Sequence, residues 1–510
     1  IELGFGGVWV GAAPYLMFIP RDGDTPLPLG SNRAIPGPSS EGAKNGPVTQ
    51  VPGLNFTAYA LLDGWGSQDT HETLNSFIWG PDGWLYGCHG VFTHSKVGKP
   101  GAPEDRRKPI NAGIWRYHSV RHEFEIFAEG TSNPWGLDYD QHGEFFVTAC
   151  VIPHLYHIVP GGHYQRQAGQ HFNPYTYEDI KTIADHAHYA GSARPDVTYD
   201  KATGAGIMNN DTNALGGGHA HCGLAIYQSS LFPPTYRNQL IFGNLHGHRL
   251  VTNYTDPHAS TYVGKHGSDF MRANDMHFIP VTQKVGPDGA LYVSDWSDEQ
   301  ICHRGSNAVE NWDRSNGRIY RVSYDGWKPW KGDLAKESDE ALAKLAVQTE
   351  NEWESRMARR VLMEKITTMS NSRQKPISLL SIFDKNENPG WPLKTETGLR
   401  HHWLGSLLMP DSYLQTADFD AKHNERLVAQ RVRSAASQPD FADTDLRVLN
   451  DAARKHPSPI VRRELASALQ HLPQNQRHSI AIALLSHGED KDDPMIPLLI
   501  WYGIEPLVGA

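Results

Sequence analysis

Cysteine is scarce: four in 510 residues, at Cys88, Cys150, Cys222 and Cys302. They form no CxxC or CxxCH pair, which excludes a disulfide scaffold and a covalently attached c-type haem in this stretch. A basic excess is also missing. Lys and Arg number 47 against 57 Asp and Glu, a formal charge of −10, which argues against the positive footprint of a nucleic-acid binder. No apolar run reaches the ~18 residues a membrane span requires. The most apolar stretch, from Ile496 to Gly509, is broken by Glu505. The chain opens at Ile1 without Met and without a charged, then apolar leader. Its first residues already alternate as strand, Gly6-Gly7-Val8-Trp9-Val10 and Tyr15-Leu16-Met17-Phe18-Ile19. The expectation is therefore a fragment that has lost an N-terminal part together with any export signal.

What is present suits a large core. Hydrophobic residues make up 39% and charged residues 20%, values of a globular and not a disordered chain. The 48 Gly and 34 Pro call for many turns, and 14 Trp with 20 Tyr suit an aromatic-rich β-protein. The 27 His are many and need an account.

The chain divides by character. Residues 1–327 are rich in Gly, aromatic and β-branched residues, and residues 328–510 in Leu, Ala, Arg and Glu, with Gly326-Trp327-Lys328-Pro329-Trp330-Lys331-Gly332 reading as a linker. The first part repeats internally. Gly80-Pro81-Asp82-Gly83-Trp84-Leu85-Tyr86 recurs as Gly286-Pro287-Asp288-Gly289-Ala290-Leu291-Tyr292, with weaker copies at Asp140-Gln141-His142-Gly143-Glu144-Phe145 and Gly7-Val8-Trp9-Val10, and a further strand start at Asn238-Gln239-Leu240-Ile241-Phe242. Each copy is a turn followed by alternating apolar residues, so each opens a strand. Small antiparallel sheets at roughly 50-residue spacing predict a β-propeller. Five blades are countable in whole or part, and a truncated N-terminal blade would make the ring six-bladed. A β-sandwich with long loops is the alternative.

The second part has helical periodicity. One helix is expected near Glu352 to Leu362. Another is expected from Pro459 to Leu469, with Ser458 as N-cap, Pro459 at the first helical position, and Val461, Leu465 and Leu469 on one face. Short helices of this kind predict HEAT or armadillo-like repeats, an interaction surface or spacer without catalytic residues of its own.

Four constellations can carry chemistry. His71, in Ser67-Gln68-Asp69-Thr70-His71 just before the first repeat turn, can serve as a base near neutral pH if it reaches the hollow at the centre of the sheets. Asp69 is the carboxylate placed to orient it; a histidine bonded to its own loop is the plain alternative. Three His-x-His pairs follow, His186/His188, His219/His221 and His246/His248. Residues two apart share a strand face, so a pair can hold one metal; His219 and His221, after Gly216-Gly217-Gly218, are the pair assigned to it. Asn133 and Trp135, in Asn133-Pro134-Trp135-Gly136, offer an amide and a stacking face to a planar ligand. Arg21-Asp22-Gly23-Asp24 suggests a short calcium loop.

Taken together, Asp69-Thr70-His71 with its Gly-Pro-Asp-Gly turn, Asn133-Pro134-Trp135-Gly136, His219-Ala220-His221-Cys222-Gly223, Asn244-Leu245-His246-Gly247-His248-Arg249, Asp295-Trp296 and Gly317-Arg318-Ile319-Tyr320-Arg321-Val322 resemble the PVC-type haem-binding CxxCH proteins, also labelled membrane-bound dehydrogenases. The segment from Leu498 to Leu507 is similar to that family's helical part. The family's propeller is in turn similar to the soluble glucose/sorbosone dehydrogenases, six-bladed quinoproteins that use pyrroloquinoline quinone and calcium. The resemblance implies His71 as catalytic base, and Asn133, Trp135, His246 and Arg249 near the quinone. It also implies that a cytochrome c module carrying c-type haem, outside this fragment, receives the electrons, and that the protein is periplasmic or extracellular. The substrate implied is a sugar or other small alcohol. Two departures stand out: Ser132 occupies the place of an Arg before Asn133, and His277-Phe278-Ile279-Pro280 stands where the dehydrogenases place Arg residues. The alternative function is a non-catalytic propeller that binds a glycan or protein partner, with the helical repeats as scaffold.

Overall fold

The computed structural model describes residues 1–21, 50–51, 54–55, 58–71, 73–150, 153–172, 177–191, 197–199, 206–208, 210–299, 301, 312–370, 396–408, 419, 423–439, 441 and 446–508. The Asp22-Gly23-Asp24 segment and Cys302 lie outside them.

Each repeat turn is a tight hairpin built the same way. Gly80 N donates to Trp84 O (2.8 Å), Asp140 N to Glu144 O (3.0 Å) and Gly286 N to Ala290 O (2.9 Å). The fourth residue of each turn is left-handed, Gly83 at φ 79°, Gly143 at 76° and Gly289 at 76°, a conformation that costs other residues ~1–2 kcal/mol. In the two strongest copies the turn aspartate accepts the hydroxyl of the tyrosine four residues on, Tyr86 to Asp82 at 2.7 Å and Tyr292 to Asp288 at 2.8 Å. The repeated Asp and Tyr are thus a turn lock.

These turns organise five antiparallel meanders. The first sheet has Glu2–Gly4, Gly7–Ala12, Tyr15–Pro20 and Tyr59–Leu62; the second has Asn75–Trp79, Leu85–His89, Gly113–His118 and Glu123–Gly130, with His163–Tyr164 added in parallel. The third has Pro134–Tyr139, Phe145–Ala149 and Leu155–Ile158, the fourth His221–Ile226, Leu240–Asn244, Arg249–His258 and Thr261–Arg272, and the fifth Pro280–Val285, Leu291–Asp295 and Arg318–Val322. The opening strands of the second to fifth sheets lie side by side in chain order. Glycine permits that approach: a Cβ on Gly136 would meet Gly223 C at 2.4 Å. The fifth sheet returns to the first two, since Lys284 Nζ donates to Phe77 O at 3.2 Å and lies 3.9 Å from Glu2. Meander order with converging first strands is what a propeller blade needs. Among the described residues the sheets do not form a closed ring.

Helices follow: Asp339–Gln348, Glu352–Ser370, Glu396–Leu408, Glu425–Ala436, Leu446–Lys455, Pro459–Ala468, Gln474–Leu485 and Ile496–Ile504. Ser338 and Ser458 cap two of them, accepting from Ala341 N and Ile460 N at 3.2 Å each. Among the described residues no helix is long and apolar enough to cross a membrane.

The two regions share one core, in which Tyr86, Phe127, Phe145 and Tyr156 of the sheets pack with Val428, Leu465 and Ile500 of the helices. The stretch expected as a linker is bonded to both: Trp327 Nε1 donates to Asp288 Oδ2 (2.9 Å) and Trp330 Nε1 to Glu354 Oε1 (3.2 Å). Charge joins them too. Glu144, in the third sheet's repeat turn, accepts from Arg426 (3.0 Å), Arg433 (2.9 Å) and Arg463 (2.7 Å).

Candidate functional site

His71 ends a loop with too little apolar content to be drawn inward. Asp69 is stapled by Thr93, whose Oγ1 accepts from Asp69 N (3.2 Å) and donates to Asp69 O (2.9 Å). Asp69 Oδ1 in turn accepts from His71 N (3.0 Å) and lies 2.8 Å from His71 Nδ1. This contact fixes the ring through Nδ1 and turns Nε2 to the open side. The His71 side chain is 64% exposed, so the ring stands at the surface and is not enclosed at the centre of the sheets as expected from sequence.

The residues assigned to a planar cofactor have structural tasks. Asn133 Oδ1 accepts from Val91 N at 3.2 Å and holds the loop after Leu85–His89. Trp135 packs, half-buried, beside Ala220, Cys222, Leu245 and Ile279 where the opening strands converge. Cys150 Sγ and Cys222 Sγ are 3.0 Å apart in the same place. The His246 ring packs on that of His219, with centroids 4.8 Å apart. Arg249 is buried, and its guanidinium donates to Gly247 O (2.9 Å), Asn213 O (3.1 Å), Asp269 Oδ2 (3.0 Å) and Asn213 Oδ1. It ties the short helix Asn210–Leu215 to the fourth sheet. A quinone bearing several carboxylates requires uncommitted cations, and these four positions do not form such a cradle.

The other histidines gather elsewhere. His221 opens the strand His221–Ile226, and His154 immediately precedes the strand Leu155–Ile158. His186 and His188 follow the bridge between Ala184 and Gly264, while His266 pairs across the long hairpin with Asn253. Two groups result, His154/His188/His221 and His186/His188/His266, in each of which one ring nitrogen per residue lies within 4.8 Å of the others. His188 is the shared member: its Nδ1 is 2.8 Å from His221 Nε2 and its Nε2 is 2.9 Å from His266 Nδ1. Asn253 Nδ2 donates to His186 Nε2 (3.1 Å) and His154 Nε2 (3.3 Å), and His186 Nδ1 is 2.9 Å from Asp185 Oδ1. Phe242 faces the rings of His154, His188 and His221.

The backbone around His188 is shaped for the cluster. Gly218 N donates to His188 O at 2.7 Å. Gly216, at φ 126°, would put a Cβ 2.7 Å from His188 Cδ2, so only glycine fits. His154, His188 and His221 are fully buried. Burial, reinforced by the neighbouring imidazoles, pushes His154 down to about 3 and holds His188 and His221 well below the ordinary histidine value. Burial first and His186 second also lower His266. These rings are neutral at physiological pH.

Of the pair assigned to a metal from sequence, His221 enters the inner group, whereas His219 packs on His246 outside it. The His186/His188 spacing does bring two imidazoles into one group. His154 and His266 carry no local pattern; only the sheet-to-sheet arrangement brings them in.

Three solved structures illustrate what the chain is similar to. One, described as an oxidoreductase (glucose dehydrogenase) from Thermus thermophilus, is 19% identical with a TM-score of 0.30, over 52% of this chain and 70% of that one. The PQQ-bound aldose sugar dehydrogenase of Streptomyces coelicolor is 17% identical with a TM-score of 0.29, over 49% of this chain and 62% of that one. A further glucose dehydrogenase is 15% identical with a TM-score of 0.32, over 61% and 77%. No curated protein matches. A family profile does match, across residues 58–326. That span is more than half of the chain and takes in His71, the opening strands of four sheets and every histidine of the cluster, and the protein belongs to the family described as domain of unknown function DUF7133.

Proposed function

We propose that the chain is the propeller-and-helix part of an extracytoplasmic oxidoreductase that oxidises a sugar or other small alcohol. The observation that carries this reading is the His71–Asp69 pair, which stands at the surface and would meet its substrate there and not in the hollow at the centre of the sheets. A carboxylate oxygen 2.8 Å from Nδ1 fixes the ring's tautomer and orientation, and the exposed Nε2 is left as the atom that takes a proton from a substrate hydroxyl. The positive charge gained by the ring is then met by Asp69. The resemblance of the motifs around His71 and Asn133 to the glucose/sorbosone dehydrogenases supports the same assignment and implies a quinone as the class of hydride acceptor and a cytochrome c module as the onward acceptor; Asn133, Trp135, His246 and Arg249 do not fit that quinone, so other residues would have to hold it. A quinone held there would supply two-electron oxidation of the carbinol carbon. His71 contributes the proton transfer and Asp69 the orientation. Helical repeats of HEAT type in residues 328–510 act as the scaffold.

The test supplies purified protein with pyrroloquinoline quinone and calcium and follows dye reduction with a panel of aldoses and alcohols. Turnover that falls about 10²–10⁴-fold in His71→Ala is the expected result. Asp69→Asn should lower kcat and shift its pH profile. Quinone-dependent turnover that is missing, or unchanged in His71→Ala, would remove the reading.

A second reading has its own support. Arg249 and Asn133 are engaged within the fold, and exposed Trp296 offers a stacking face, which suits a module that binds a glycan without chemistry. Glycan-array binding lost in Trp296→Ala, with no dye reduction, would favour it.

A further inference from the structure

Nothing in the reading of His71 uses the five imidazoles gathered beside the third and fourth sheets. We propose that His154, His188 and His221 form a binding site for one divalent transition-metal ion of the imidazole-preferring kind, zinc or copper, with His186 and His266 on its solvent side and Asn253 orienting the rings. The site is independent of the dehydrogenase reading, since neither it nor its test involves His71 or a substrate.

Geometry comes first. Ligand bonds of 2.0–2.1 Å in a tetrahedral site place the nitrogens roughly 3.3–3.4 Å apart. The observed contacts bracket that value, from 2.8 Å between His188 and His221 to the 4.8 Å outer limit of the group. Side-chain adjustment alone closes the triad on an ion. The three rings come from three separate chain segments, and His188 is held at its backbone by Gly218 and crowded by Gly216, so the arrangement is set by the fold.

Each imidazole of the triad offers a metal the lone pair of one ring nitrogen. The donor set is all nitrogen. Cys222 follows His221 directly, yet alternation along the strand sends its side chain to the opposite face, beside Cys150. Imidazole without carboxylate suits zinc, copper, iron or nickel and not the oxygen-seeking calcium.

A self-contained hydrogen-bonded network is the competing explanation, and it leaves a deficit. A neutral imidazole has one donor and one acceptor. His188 uses both nitrogens, but buried His221 Nδ1 and Asn253 Oδ1 have no hydrogen-bond partner among the described residues. Each such orphan costs ~1–3 kcal/mol. Apolar side chains of similar size would fill the space beside Phe242 without that cost. A cation shared by the triad replaces the close approach of His188 Nδ1 to His221 Nε2 by two metal bonds, and the amide of Asn253 becomes the group that fixes ring orientation from behind. Three protein ligands also leave a fourth position for water or a small ligand. His266, on the exposed side, marks the way in.

The full chain, stripped with a chelator, is titrated with Zn²⁺ by calorimetry and loaded with Cu²⁺ for electron paramagnetic resonance. One tight equivalent and nitrogen superhyperfine structure from several imidazoles are expected. His188→Gln and His221→Gln should each lose the tight equivalent. Asn253→Ala should weaken it about 10–100-fold, and exposed His258→Gln should leave it unchanged. With 27 histidines in the chain, weak surface binding is expected, so only the equivalent lost in the cluster variants counts. Wild-type protein without a tight equivalent, or one that survives both His188→Gln and His221→Gln, overturns the proposal. Should those variants fail to fold, the wild-type copper spectrum decides: several equatorial imidazole nitrogens uphold the site, and their lack refutes it.

Discussion

Around Glu144, where the third sheet meets the helices, each buried charge faces an opposite one. Arg433 and Arg463 bond both Glu144 and Glu464, and Arg426 closes the outer side. Around His188, beyond the opposite end of the strand Phe145–Ala149, buried polar rings face one another with no carboxylate inside the triad. Burial is equal in the two places and its consequence is opposite. Burial alone would raise the Glu144 carboxyl, yet Arg463 and Arg433 outweigh it and hold the group well below the carboxylate range. The imidazoles have no such counterweight and are driven neutral. Charges kept ionised by their partners join two regions of the chain; rings kept neutral by burial remain available to a ligand.

The largest effect expected from this contrast follows removal of one side of the ionic junction. Glu144→Ala leaves Arg463 buried with one carboxylate partner fewer and Arg426 with none of its present bonds to Glu144. Breaking a buried network from one side costs about 3–5 kcal/mol, to be read as a lower urea midpoint at unchanged m-value. A loss below 1 kcal/mol would show that the shared apolar core, not the charges, holds the helices to the sheets.

Acid should separate the two kinds of site by pH. Burial lowers His89 in the sheets to about 3, with His94 adding to the effect, and lowers His402 in the helices to about 3, with Arg431 adding. A histidine depressed in the folded state takes up its proton on unfolding. Stability is therefore whole above the unfolded value near 6.5 and is lost as pH falls, by ~1.4 kcal/mol per unit for each ring until the folded value is reached. By pH 5 each ring has cost about 2 kcal/mol. Glu352 acts lower down. Burial would raise it, but Arg400, Arg359 and Arg356 bring it to about 2, so its contribution stands above the unfolded value near 4.3 and disappears as pH drops towards 2. Unfolding midpoints measured from pH 7 to 3 should fall in two stages, and His89→Gln should reduce the slope of the first by one ring's share while leaving the second unchanged.

How far the sequence revealed these features depended on whether a feature was local. The Gly-Pro-Asp-Gly repeats marked real hairpins because a left-handed glycine and an aspartate that accepts a tyrosine hydroxyl are both encoded within seven residues. Ser458 with Pro459 located its helix start for the same reason. The junction at Glu144 was not legible, since its arginines lie about 280–320 positions away along the chain. Three of the five clustered imidazoles, His186, His188 and His221, were legible as His-x-His spacing, but the spacing did not show that His219 packs on His246 outside the cluster, because rings from different segments meet only in space. His71 was found by its position before a turn. Its exposure was not, since loop direction is set by the Thr93 staple.

The smallest effect tests whether the junction acts as a unit. Arg426 is its outermost member, 14% exposed in its side chain, bonded to Glu144 at 3.0 Å and lying over the Tyr262 ring. Glu144 keeps Arg433 and Arg463 when Arg426 is removed, so Arg426→Ala alone should cost only about 1 kcal/mol, less than the range for a charged hydrogen bond because the site is partly solvated. In a Glu144→Ala background most of that cost should vanish, giving a coupling of about 0.5–1 kcal/mol in a double-mutant cycle. The control cycle pairs Glu144→Ala with His89→Gln, a ring on the second sheet with no contact to the junction, and should be additive within about 0.5 kcal/mol. Equal coupling in both cycles would mean that the substitutions act through a general loosening of the common core, and the contrast between paired charges and neutral rings would lose its energetic meaning.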